Sequence, residues 1–431
     1  MTVANEQVFY VRPVNGDDTN LGKSFADAWK TWQHAVDELC YTGASAGLRT
    51  NAALFLVNEG VAYTGPYSLN GTQTTLDYAF TDISGDFTIQ GVSSDGLPYD
   101  DVFFEFDLSG FTYDQWMFAF GSSNVNGNGI LFKNITWKDA DYDTNSHPER
   151  IIYTSYDSEL AATQFVNCKW LNNTVGNALI AMGNYGGRYK YQNCIIKGNN
   201  AVNTTNKGLF AAGNYNITTN RQSTIFATDC LFEDNQTTAS SSPYLVTSQS
   251  LQRAGMFISN CVFYNNGYDT SSKAVFVGAN TEDQVDTIKN CIFFNNTGTA
   301  IELNDANSSD ADYGNYVYGR KITSNVFAYN NKAIDSIATD EPIKMTAFFN
   351  NIFYSNTAED IPSWLSGGTY NSGWGPNYNE DPAFTNGYSG DFSAISTSPV
   401  FTRALSTGTP VGGAFVQLKT AATLPTIVSF F

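Results

Sequence analysis

Three groups of side chains in this chain have the types and spacings from which a site could be built. Asp229, Glu233 and Asp234 set three carboxylates within six residues, and two carboxyl groups flanking a sugar bond are all that glycoside hydrolysis requires. Asp139, Asp141 and Asp143 alternate, so an extended backbone would bring three hard oxygen ligands to one side, as a calcium ion needs. Trp364, Tyr370, Trp374 and Tyr378 crowd a glycine-rich stretch, and flat rings with polar edges suit sugar faces, subunit contacts or a cap over an open core.

Each group also has a plainer reading. Glu233 and Asp234 fall where a strand meets a turn, where short carboxylate clusters are common, so no catalytic residue is assigned. The 139–143 stretch is not an EF-hand, because Thr144 stands at the required glycine and Arg150 at the bidentate glutamate. It reads as a solvated acidic loop, and neither metal nor cofactor is expected. His34 and His147 are the whole supply of histidine, which nearly starves a Ser-His-Asp or zinc site of parts. The six cysteines lack any C-x-x-C pair and read as small buried hydrophobes.

A scaffold must position these residues, and it is written as a repeat. F-V-N-C-K-W-L-N-N at 165–173 returns as I-S-N-C-V-F-Y-N-N at 258–266 and I-K-N-C-I-F-F-N-N at 288–296. With the cysteine as position zero, the column runs Ile135, Cys168, Cys194, Cys230, Cys261, Cys291, Asn325 and Asn351, at spacings of 33, 26, 36, 31, 30, 34 and 26 residues. Position −1 is Asn, Asp229 or Ser324, and +2 is always large and apolar. Position +5 is Asn from Asn173 to Asn356. Copies of irregular length that keep one strand and one turn in register predict stacked coils with insertions bulging outward. The expected fold is therefore all-β, a right-handed parallel β-helix. Stacked Asn side chains would bond along its axis.

Charge is absent from positions zero and +2, so these face the interior. Position +1 turns apolar over Ile195, Leu231, Val262, Ile292, Val326 and Ile352, joined at +3 by Tyr264, Phe294, Ala328 and Tyr354. Such a stripe on an outward face is covered by the chain's own loops or by another subunit, and a subunit is the expectation here. At the amino end, Thr31 caps a short helix that buries Trp32, Ala35, Val36 and Leu39. At the carboxyl end, the apolar Val411–Leu418 and Thr426–Phe431 are expected to dock on a cap or a neighbour.

Y-V-R-P-V-N-G-D-D at 10–18 and K-T-W-Q-H-A-V at 30–36, with Asp381-Pro-Ala-Phe384, Gly390-Asp-Phe392 and Ser398-Pro-Val400 at the far end, resemble the opening and closing segments of right-handed β-helix proteins of the pectate-lyase-like superfamily. The resemblance spans roughly residues 8 to 405 and implies the fold. It leaves lyase, glycosidase, bacterial surface protein and phage tailspike all open. The chain divides as an amino-terminal cap with the opening coils over 1–85, repeats over 86–361, and an aromatic loop, closing coils and apolar tail over 362–431.

An excess of 41 acidic over 22 basic residues, net charge −19, repels phosphate backbones and argues against nucleic acid as a partner. It equally disfavours a basic cleft for polyanionic uronates. No run of eighteen apolar residues occurs, so membrane insertion is not expected. The first seven residues lack a basic and an apolar region and are not expected to form a signal peptide. Together these features lead to an expectation of a virion surface protein, of tailspike, tail-fibre or decoration type, that attaches to a host glycan. A homotrimer bound to other virion proteins is the arrangement tailspike resemblance implies. The alternatives are a carboxylate-dependent polysaccharide depolymerase on the same scaffold and a secreted bacterial surface protein.

Overall fold

A computed structural model describes residues 7–41, 52–65, 87–110, 116–122, 129–142, 150–156, 162–176, 178–182, 187–202, 209–212, 223–238, 244–248, 254–277, 286–303, 320–336, 345–358, 360, 375–403 and 409–416. Three long sheets form the faces of a parallel β-helix. The first has eleven strands from Gln7–Val11 to Met345–Phe349, the second ten from Phe104–Asp107 to Tyr378–Asn379, and the third eight from Trp116–Ser122 to Lys332–Ser336. Every pairing within them is in parallel register, one coil on the next. The first sheet begins at Gln7, and the capped helix Trp32–Val36 buries Trp32 against Phe106, ring centroids 5.6 Å apart.

Each repeat proves to be two strands and two corners rather than one strand and one turn. Ala162–Val166 lies on the first face, Asn167-Cys168 turn the corner, Lys169–Leu171 lie on the second face, and Asn172-Asn173 turn again. The corners divide the amide work. Position −1 takes left-handed backbone angles in all eight copies, φ between 52° and 60° from Asn134 to Asn350, a conformation Asn and Asp tolerate better than other side chains. Position +4 does the same at Asp139, Asn172, Gly198, Asp234, Asn265 and Asn295. The +5 asparagines instead build a buried ladder. Asn266 Oδ1 accepts from the backbone N and from Nδ2 of Asn235, each at 3.0 Å, while Asn266 Nδ2 donates to Phe232 O at 2.9 Å and Asn296 Oδ1 at 3.0 Å. The same pattern recurs from Asn173 to Asn356.

Positions zero and +2 face the interior as expected, with all five column cysteines free and buried. The +2 rings stack coil on coil: Phe232, Phe263, Phe293, Phe327 and Phe353 follow one another at 4.5, 4.8, 5.1 and 5.2 Å, nearly parallel. Where Ile196 interrupts the column, Phe210 from the third face fills the gap edge-on, 5.7 Å from Trp170 and 5.9 Å from Phe232. From Asn325 the zero column becomes a second amide ladder through Asn351 to Asn377, 26 residues per step. This reveals a ninth coil and sets Tyr378 at its +1 position.

The apolar stripe finds a different cover from the subunit expected. Val262, Tyr264, Ile292, Phe294, Val326, Ala328 and Ile352 form a separate core with Phe392, Ala394, Val400, Val411 and Val416 of the same chain. The D-P-x-F, G-D-F and S-P motifs build this cover: Phe384–Asn386 and Asp391–Ala394 pair antiparallel, and Ser398 caps Pro399–Thr402. Side chains are packed there because a sheet face carrying aliphatic and aromatic groups gains by leaving water. The tail then crosses the corner at Gly413, where an added Cβ would lie 2.3 Å from Asn290 O. Val411 and Val416 thus dock on the second face and its cover instead of on an end cap or a neighbouring subunit, while 417–431 lie outside the described residues.

At the amino end Glu59 holds the chain after the first strand. Its carboxylate accepts from Arg12 Nε at 3.0 Å, Val14 N at 2.7 Å, and Asn15 N and Nδ2 at 3.1 and 2.7 Å. Burial pushes the Glu59 carboxyl up, but these donors outweigh it and hold its pKa below the ordinary value. A depressed carboxylate pKa adds stability that is present above the unfolded-state pKa and is lost as pH falls through the folded one. Glu59→Gln is expected to cost about 1–3 kcal/mol near neutrality. Thermal melts of both proteins from pH 7 downward should show the difference shrinking in acid, and a pH-independent difference would refute the assignment.

Candidate functional site

The second face is sealed over its later coils and open over its earlier ones. Between the Asp100–Phe103 loop and Phe415 of the tail lies a cleft of about 220 Å³, lined also by Asn167, Lys169, Asn193, Ile195, Asp229 and Leu231. Its floor is the +1 column and its wall is the −1 column. The fold fixes that wall as a row of side chains one coil apart, about 4.8 Å.

The row is wired by amides in one direction. Asn193 Nδ2 donates to Asn167 Oδ1 at 3.2 Å, and Asn167 Nδ2 donates to Asn134 Oδ1 at 2.9 Å and to Asp100 O at 2.5 Å. Asn134 Nδ2 reaches Tyr99 O at 2.7 Å, so the same row fastens the loop that forms the cleft's rim. The next coil supplies Asp229, which as a carboxylate has nothing to donate. Asn193 Oδ1 is thereby left with no donor among the described residues. It stands exposed beside the Asp229 side chain at the cleft, so water or a ligand supplies the donors that these two neighbouring acceptor groups take.

Lys169 is the cation of the cleft. Its ammonium lies 3.7 Å from the centroid of the Phe103 ring, and among the described residues no carboxylate pairs with it. Neighbouring lysines are engaged: Lys138 with Glu105 at 2.9 Å, Lys197 with Glu233 at 3.0 Å, Lys133 with Asp100 at 3.0 Å. Burial lowers the Lys169 pKa, opposed by the charge of Glu105. A half-buried ammonium over an aromatic face, flanked by acceptors, is equipped to hold a polyhydroxylated ligand.

The residues singled out from sequence are dispersed. Asp229 alone of its trio enters the cleft, whereas Glu233 pairs with Lys197 and Asp234 accepts from Asn265 Nδ2. Asp139 serves a corner in left-handed conformation, Asp141 is exposed, and Asp143 lies outside the described residues. Among the described residues no group of three or more His, Cys, Asp or Glu is arranged to hold a metal ion. His34 lies edge-on to Trp29 at 5.7 Å, and His147 is outside the described residues, as are Trp364, Tyr370 and Trp374. Tyr378 is half-buried beneath the cover, with the Arg403 guanidinium 4.4 Å over its ring. The side chains missed from sequence were Asp101, Phe103, Asn167, Lys169, Asn193 and Phe415. One signal was available: Lys169 is the lone charge in the repeat's +1 column.

No protein-family model and no curated protein sequence matches the chain. Among solved structures it is similar to one described as "Rhamnogalacturonan lyase", with TM-score 0.49 and 13% identity over 86% of this chain and 84% of that one. So distant a likeness does not bear on activity. Among the described residues no helix is long and apolar enough to cross a membrane.

Proposed function

We propose that the protein is a carbohydrate-binding β-helix that holds a glycan in the second-face cleft, as an attachment protein on a virion surface. The observation that carries this reading is the pair of open acceptors, Asn193 Oδ1 and Asp229, beside the Phe103 ring and Lys169. Sugar hydroxyls supply donors in rows, and ring faces pack on aromatic side chains. The net charge of −19 disfavours polyanionic glycans through the same field that repels nucleic acid. Assembly as a homotrimer with other virion proteins belongs to this proposal, as do sugar contacts by Trp364, Tyr370, Trp374 and Tyr378. A stripe covered by the chain's own tail leaves any trimer to use another surface.

Asp229→Asn separates function from stability. The new amide would donate to Asn193 Oδ1 and complete the row, so the melting temperature should hold or rise. Binding should weaken about 10- to 100-fold, the worth of a hydrogen bond to a charged acceptor. Calorimetric titration with purified capsular and O-antigen polysaccharides checks both, and unchanged affinity for a bound glycan would sink the assignment.

A second reading, cleavage by elimination, is favoured by the place of Lys169, whose ammonium stands at the cleft over the Phe103 ring with no carboxylate partner among the described residues and whose burial lowers its pKa. A lysine acts as a base only when neutral. Release of unsaturated sugars should then rise with pH through that lowered pKa and vanish in Lys169→Met. Binding with no product leaves attachment alone.

A further inference from the structure

The left-handed corner at position +4 is held by Asp139, Asn172, Gly198, Asp234, Asn265 and Asn295, then by Tyr329 at φ 59°. A bulky ring there is costly, because its Cβ crowds the backbone. Strain of this kind persists where surrounding structure or function selects it. Tyr329 packs in a ring cluster with Phe294 at 5.1 Å, Tyr354 at 5.5 Å and Tyr388 at 5.0 Å. Phe294 is buried, but the cluster opens outward: Tyr329 and Tyr354 are half-buried and Tyr388 is 57% exposed. Exposed polar groups flank it, Ser355 on the next coil and Asp381, while Asn295 continues the corner row on the other side. The Tyr329 hydroxyl has its pKa pushed up to about 12, by burial first, then by Tyr354 and Asp381.

We propose that Tyr329, Tyr354 and Tyr388 form a second carbohydrate site, taking a neutral sugar ring on the exposed Tyr388 with hydroxyls bonded to Ser355, Asp381 and the tyrosine hydroxyls. The ligand class follows from the chemistry: aromatic faces for the apolar side of a pyranose, acceptors and donors for its edge, and, among the described residues, no cation at the cluster to receive an acidic sugar beyond Arg403, which is committed to Glu380 at 2.5 Å. The site is distinct from the cleft around Lys169 and stands or falls without it. A cluster serving only to anchor the cover would have no use for an exposed ring rimmed by polar groups.

The test applies the full-length protein to an array of neutral, acidic and amino oligosaccharides, then titrates the strongest neutral binder. Tyr388→Ala is expected to weaken that binder about tenfold, with the melting temperature kept because the side chain lies outside the core. Tyr329→Asn, which relieves the backbone, is expected to weaken binding without loss of stability. Asp229→Asn should change this affinity less than twofold, which tells the two sites apart. The proposal is overturned if no neutral oligosaccharide binds, if Asp229→Asn abolishes the binding while Tyr388→Ala does not, or if both tyrosine variants bind as the parent does.

Discussion

A chain ending at Asp381 is expected to self-associate, eluting from size exclusion far larger than the full-length protein at equal concentration. Removing the cover strips Phe392, Val400, Val411 and Val416 from Val262, Ile292, Phe294, Val326 and Ile352. Five large apolar side chains on one sheet face would then meet water, at about 1.5–3 kcal/mol each, or on the order of 10 kcal/mol together. Contiguous apolar surface of that kind drives association. Phe392→Asp tests the same contact within an intact chain, since it places a charge among Tyr264, Phe294 and Phe384, whose centroids lie 5.9, 5.6 and 5.2 Å from the Phe392 ring. A truncated chain as monodisperse as the parent would show that the cover is not needed to keep this face from water.

Asn266→Ala is expected to destabilise the helix by about 3–5 kcal/mol, and Asn266→Asp by at least as much. The alanine leaves Asn235 N–H and Phe232 C=O without the partners they have at 3.0 and 2.9 Å, each buried and costing about 1–3 kcal/mol unsatisfied. The aspartate keeps one acceptor but turns the other oxygen on Phe232 O and Asn296 Oδ1, both acceptors, in a site only 1% exposed. Burial and those oxygens must force its pKa up, so the Asp variant should be least stable at high pH and partly recover as pH falls and the carboxyl protonates. Chemical denaturation of both variants, with the pH series for the second, measures this. A loss below 1 kcal/mol for Asn266→Ala would refute the cooperative role of the ladder.

The interior was legible in sequence because stacking converts a contact in space into a column in the repeat. Nothing but Cys, Ile or Asn stands at zero, and +2 stays large, since each position meets its own equivalent one coil away. What the columns could not separate were the two uses of asparagine. Position −1 needs the residue first for its left-handed backbone, with side-chain bonds along the early coils added to that, and position +5 needs it for its buried side chain, yet both read as the same letter. The two short strands also merged into one, because a single left-handed corner residue breaks neither the alternation nor the hydrophobicity. The apolar stripe was visible, but its occupant was not, as Val411 and Phe392 reach it through tertiary packing that no local pattern encodes. The cleft was hidden for a related reason. Asp229 looks like a permitted variant of Asn until the donor that Asn193 lacks is known, and Asp101 and Phe415 arrive from opposite ends of the chain.

The corners reconcile coils whose step varies from 26 to 36 residues without altering the cross-section that carries the ladders. Size along the axis is thereby uncoupled from interior design. Duplicating one unit of sequence lengthens the rod by a rung, and an outward excursion can be rewritten freely so long as its two ends return to the same posts. A lineage built this way can adjust reach and surface separately, keeping one solution for the inside while exploring many for the outside.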